Sequence, residues 1–175
     1  MTFGEGGRRM LAIGIDPGTA RTGYGLVQLE TDGGLKVIAF GTVSTAPDES
    51  MPDRLQHLHV ALSDLLALHR PNTGAVEKLF FSRNVTTAMS VGQARGVALL
   101  ALAQAGVPTS EYSPREVKMA IAGYGGAGKR QVQAMVRALL ELAEPPTPDD
   151  AADALAVAIC HLHTRTSRLV QEASA

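Results

Sequence analysis

The chain contains a single cysteine, Cys160. A lone thiol excludes an internal disulfide and fits a reducing compartment, so a cytoplasmic location is expected. Long apolar runs are also missing, since charges or glycines interrupt each one well before bilayer length. No membrane span and no membrane partner is therefore expected. Met1–Arg9 carries charge but no apolar stretch, which excludes a secretory signal and reads as a loose tail. There is no internal repeat and no low-complexity segment. Net charge is nearly absent too, at −1, which argues against a uniformly basic nucleic-acid binder.

What is present suits one folded domain. The chain has 175 residues, 45% of them apolar, enough for a full core and too many for disorder. The expected organisation is a tail over residues 1–9, a domain over 10–165 and a C-terminal tail over 166–175. Charge is uneven. Between Lys78 and Leu140 there are eight Lys/Arg against two Glu, while both flanks are acidic. That surplus can face a polyanion, or be chance clustering on a solvated face.

The pattern predicts strands at Leu11–Asp16, Tyr24–Leu29 and Leu35–Thr45, joined by short turns as an antiparallel meander. A leucine stripe predicts a helix from Pro52 to Arg70. A short strand follows at Gly74–Leu79, then a helix from Val85 to Ala105 closed by Gly106, and a fifth strand at Val107–Tyr112. Further helices are expected from Ser113-Pro114 to Ala122, from Lys129 to Leu142, and from Asp149 to about Thr164. Crossover connections make the later strands parallel, so the expected fold is α/β: a mixed five-stranded sheet with helices on both faces.

Asp16 ends the first strand, and Pro17-Gly18 turns the chain directly after it. A carboxylate there is either a cap on its own turn or a ligand, since burying an unpaired charge is costly. Glu77 likewise closes its strand. If the two strands are parallel neighbours, about 4.8 Å apart, both acids project from one sheet edge. The last helix opens Asp149-Asp150-Ala-Ala-Asp153. Asp150 and Asp153 share a helix face. First-turn acids complement the helix dipole, which accounts for Asp149 and can account for Asp150, but accounts poorly for Asp153, set deeper beside Ala154–Ile159. All-oxygen donors suit Mg²⁺ or Mn²⁺. Two such ions can activate water and stabilise the leaving oxygen of a phosphodiester.

Four ordered motifs make this more specific: Gly-Ile-Asp-Pro-Gly-Thr…Thr-Gly-Tyr-Gly (14–25), Val-Glu-Lys-Leu-Phe (76–80), Gly-Gln-Ala-Arg-Gly-Val-Ala (92–98) and Asp-Ala-Ala-Asp-Ala-Leu-Ala (150–156). Together they resemble the RuvC family of bacterial Holliday-junction resolvases, over roughly residues 10–165. The resemblance implies a ribonuclease-H-like fold and a homodimer. It also implies symmetric, metal-dependent nicking of two opposed strands of four-way junction DNA, with one or two Mg²⁺ (or Mn²⁺) ions per site, in recombination and repair. It further implies a sequence preference at the cut and work alongside the RuvA–RuvB branch-migration complex. By position, Asp16, Glu77, Asp150 and Asp153 match the family's acids. Phe80 matches an aromatic at the junction centre, and Lys118 and Lys129 match basic residues near the DNA backbone. Asp149 lies outside the pattern.

The residues themselves are compatible with this. The candidate DNA contacts are Phe80, Phe81 and Arg83 in the loop after Glu77, and Lys118, Lys129 and Arg130 around the Gly123–Gly128 loop. At least one of the two phenylalanines is expected in the core; an exposed one can stack on an unpaired base. Gly92 and Gly96 lie on one helix face and allow close approach, as a dimer seam or as packing within the chain.

Rival readings are weaker. Gly123–Lys129 imitates a nucleotide P-loop, but Arg130 stands where Ser or Thr should hold Mg²⁺, and the segment follows a helix. Asp16-Pro-Gly-Thr19 is similar to the phosphate loop of actin-like ATPases, which need two such domains. A non-cleaving junction-binding module would need the basic third but no metal. Cys160, His161 and His163 imitate zinc spacing, yet residues two apart on a helix do not face each other. A buried cysteine and surface histidines are expected there, with His57, His59 and His69 on the flank of their helix.

Overall fold

A computed structural model describes residues 9–78 and 85–173. The meander is β1 (Met10–Asp16), β2 (Arg21–Leu29) and β3 (Leu35–Ser44). Helix α1 (Met51–His69) leads to β4 (Thr73–Glu77), and α2 (Val85–Gln104) to β5 (Thr109–Tyr112). Three helices complete the chain: α3 (Pro114–Ala122), α4 (Lys129–Leu139) and α5 (Asp149–Ala173). The sheet order is β3-β2-β1-β4-β5. β2 is antiparallel to β1 and β3, while β1, β4 and β5 run parallel. The mixed five-stranded sheet and its helical faces are as expected.

Strand alternation divides two cores. On one face Ile13, Ile15, Leu26 and Val76 meet Leu58, Leu62 and Leu66 of α1 and Ala98 and Leu102 of α2. On the other, Ala12, Val27, Ala75 and Tyr112 meet α5, with Val117 and Ile121 of α3 and Val132 and Val136 of α4. From Ala154 to Leu162, α5 is buried on every side. A helix apolar all round belongs at the centre of a layer, not at its rim.

Local chemistry sets the ends. Ser50 caps α1 through the Asp53 N–H, and Ser113 with Glu116 forms a reciprocal capping box on α3. Gly123, at φ 70°, closes α3 in the left-handed conformation. Several boundaries differ from expectation: β2 begins at Arg21, not Tyr24, β5 begins at Thr109, not Val107, and two helix ends also shift. α4 stops at Leu139, not Leu142, because Glu141 takes φ 52°. α5 does not end near Thr164: the segment expected as a C-terminal tail is helical to Ala173. No glycine or proline interrupts it, and Thr164, Thr166 and Ser167 donate to carbonyls four residues back.

α2 is long and apolar enough, by length and composition, to cross a bilayer. Here it is the crossover between the parallel strands β4 and β5. Its inner face, through Ala94, Ala98, Ala101 and Leu102, lies in the α1-side core.

Candidate active site

Parallel pairing of β1 with β4 places Ile15 opposite Val76. Asp16 and Glu77 therefore end neighbouring strands side by side. Period-2 alternation puts both on the α5 face, two residues beyond Gly14 and Ala75 respectively.

Glycine brings α5 down onto that edge. A Cβ on Gly23, the residue opposite Asp16, would stand 1.9 Å from the Asp150 carbonyl oxygen. One on Gly14 would stand 2.2 Å from the Ala154 carbonyl, and one on Gly25 2.8 Å from Leu155 N. No side chain fits at these three positions, so the first turns of α5 rest directly on the backbones of β1 and β2. Asp150 and Asp153 are carried with them to the end of β1.

The acids feel one another. Asp16 is pushed up to about 8, first by burial, then by the charges of Glu77, Asp153 and Asp150, with a hydrogen bond between the Asp16 and Glu77 carboxyls. Glu77 is raised by burial and by Asp153, against its hydrogen bond with Asp16 and the nearby Lys118 ammonium. Asp153 is raised by burial, against the pull of Lys129. Carboxyls this close cannot all ionise together, and one proton shared between Asp16 and Glu77 relieves them.

Cations do the rest. Arg21 Nη1 lies 3.5 Å from Asp150, and Lys129 Nζ lies 3.0 Å from Asp149 and 3.5 Å from Asp153. No three acids among the described residues already surround one point as ligands. The donor set still fits a hard divalent cation: four carboxyls, no sulfur or imidazole, and a mutual repulsion that such an ion would lift.

A cleft of about 210 Å³ opens beside them, lined by Glu77, Asp153, Lys118 and Lys129 over Val117 and Val132. Larger hollows exist, such as one of about 500 Å³ between the C-terminal ends of α1 and α2, but it holds no acid. Convergent charge identifies the site here, not size.

The remaining candidates divide. Arg130 is exposed on the first turn of α4, beside Lys129. Phe80, Phe81 and Arg83 lie outside the described residues. Gly96 faces open space, on the side of α2 that exposes Val85, Met89 and Leu100, with Gly92 half-buried one turn earlier.

One expectation is corrected. His161 is not a surface histidine: it is wholly buried, bonded through Nε2 to Thr73 Oγ1 at 2.7 Å and through Nδ1 to the Tyr112 hydroxyl at 2.9 Å. Burial, then Arg165 and Arg168, push it down to about 4, so it is a neutral tie between α5, β4 and β5. Cys160 is buried as expected, its thiol pushed up to about 11. Sequence reasoning also passed over Arg21, which no local pattern marks. It missed Gln133 as well, whose amide holds Asp149.

The family model described as "Crossover junction endodeoxyribonuclease RuvC" matches residues 12–161. A curated relative of that name from Chloroflexus aurantiacus is 57% identical over 155 residues, 89% of this chain and 94% of the relative. The Thermus thermophilus RuvC structure superposes with a TM-score of 0.85 at 39% identity, covering 90% of this chain and 96% of that one. T. thermophilus RuvC in complex with Holliday junction substrate gives the same TM-score and identity, over 89% and 94%.

Proposed function

The chain belongs to the RuvC family, and on that premise we propose that Asp16, Glu77, Asp150 and Asp153 are its catalytic and metal-holding residues. It is a crossover junction endodeoxyribonuclease, a metal-dependent hydrolase that resolves Holliday junctions in recombination and repair. The observation that carries the residue assignment is the convergence of the four acids: Asp16 and Glu77 end paired parallel strands, and Gly14 and Gly23 let α5 bring Asp150 and Asp153 down beside them. A site built to hold repelling acids together gains from a divalent cation.

Asp16, Glu77, Asp150 and Asp153 would hold Mg²⁺, with Mn²⁺ as the alternative and one or two ions per site, which would supply Lewis acidity toward a phosphodiester and its attacking water. The chain's own residues do the following. Asp16 and Glu77 give up their shared proton and present oxygens from the rigid sheet edge. Asp150 and Asp153 complete the cage from α5, held in register by Gly14 and Gly23. Lys118 and Lys129 line the cleft wall and orient backbone phosphates, with Arg130 beside them and with Phe80, Phe81 and Arg83 as further contacts. Mg²⁺-dependent nicking of a synthetic four-way junction, run beside ATP hydrolysis, tests this. Nicking abolished by EDTA supports it; ATP turnover without nicking would favour the actin-like alternative.

Lys118→Ala should weaken junction binding across all sequences and reduce the slope of log K against log salt by about one. Anisotropy titrations across a salt series would check it, and an unchanged slope would take Lys118 off the contact surface.

The working unit is a homodimer joined through α2. An exposed apolar stripe with Gly92 and Gly96 along it, and open space over Gly96, supports that seam. Sedimentation as a monomer at micromolar concentration would remove it. Cooperation with RuvA–RuvB in the cytoplasm follows from the family resemblance, and co-sedimentation with RuvB on a junction would test it.

A further inference from the structure

α4 begins with two cations, Lys129 and Arg130. This is the unfavourable end for them, because the N-terminus carries the positive pole of the helix dipole. Gly128 offers no side chain to the open N–H groups, and the first turn holds no acid. The compensation comes from α5. Lys129 Nζ lies 3.0 Å from Asp149 Oδ2 and 3.5 Å from Asp153 Oδ2. One turn along α4, Gln133 Nε2 donates to Asp149 Oδ1 at 2.9 Å. Asp149 is thus held at both oxygens by the helix whose lysine it faces.

The two acids are not equivalent partners. Asp153 belongs to the buried cluster; Asp149 stands outside it, more exposed. We propose that Asp149 is a positioning residue: with Gln133 it draws Lys129, which also reaches Asp153, toward the rim of the acidic cleft, where its ammonium is presented to a DNA phosphate. Without Asp149, the mobile lysine falls onto Asp153 and competes with a cation for the same oxygens. This rests on the reading of Lys129 as a phosphate contact and of Asp153 as a cluster acid.

The test is a double-mutant cycle of Asp149→Ala and Lys129→Met, read by Mn²⁺ binding followed by EPR without DNA. Asp149→Ala should weaken Mn²⁺ binding severalfold, and adding Lys129→Met should restore it. Equal weakening in both backgrounds would mean that Asp149 acts only through its own charge, which overturns the proposal, as would no weakening at all. In single-turnover nicking, Asp149→Ala should lose about tenfold or more, with junction affinity undiminished, since an acid has been removed beside a polyanion. Gln133→Ala leaves every charge in place and should move both readouts the same way, by less; melting curves establish that each variant is folded. If Lys129→Met binds junctions with unchanged affinity and salt slope, the phosphate-contact reading fails. The Mn²⁺ cycle still decides the Asp149–Lys129 coupling.

Discussion

Asp16→Asn is expected to lose about three orders of magnitude in junction nicking while binding the junction at least as tightly as the parent. The substitution keeps the shape of the side chain and removes its charge. Asp16 feels the charges of the other three acids, and on the proposed assignment its loss removes the oxygen that β1 would offer a cation. The folded state should not suffer. The Asp16 carboxyl is pushed up to about 8 by burial and by its neighbours, so ionising it works against the fold. The amide can still bond to Glu77. The melting temperature of the metal-free variant should therefore match or exceed that of the parent at neutral pH. Single-turnover nicking, anisotropy in Ca²⁺ and a melting curve separate the three quantities. Full nicking by a folded Asp16→Asn protein would remove Asp16 from the chemistry.

The acids were legible because each sits where a sequence pattern breaks. Asp16 and Glu77 close apolar strands, and Asp153 interrupts a helix otherwise made of small apolar residues. What joins them was less legible. Gly23 and Gly25 mark a stretch of strand in sequence, but their role as the bed for α5 appears only when two segments distant in sequence touch. Arg21 and Asp149 look like ordinary surface charges, and their pairing with Asp150 and Lys129 depends on that same docking. His161 shows the limit of helix spacing. Periodicity places a side chain on a face, but here α5 is covered on every side, and the partners Thr73 and Tyr112 come from two strands. The C-terminal end went the other way: a polar segment with no breaker stays helical by continuing α5.

Divalent-cation affinity should rise by about fiftyfold between pH 6 and pH 8, because one proton must leave the Asp16–Glu77 pair for each ion bound. The sign follows from the shifts. Asp16 goes from 3.8 in the unfolded chain to about 8 in the fold, and Glu77 and Asp153 are raised as well. A carboxyl raised by folding contributes stability that is fully present below its unfolded pKa. That stability is lost as pH rises toward the folded value. The metal-free protein should therefore melt progressively lower from about pH 4 to pH 8. On the proposed assignment a cation would replace the proton as the charge that holds the acids together, and would restore stability where the proton has gone. Mg²⁺ at about a hundred times its dissociation constant adds about 2.7 kcal/mol, which is roughly 5–10 °C at this chain length. At pH 6 the same concentration is only about twice the dissociation constant and should move the melting temperature little. Asp16→Asn should flatten both the affinity and the melting dependence, since the proton that competes with the ion is no longer there. A Mg²⁺-induced melting shift of equal size at pH 6 and pH 8 would mean that the cation binds without displacing a proton. The raised carboxyls would then not be its ligands.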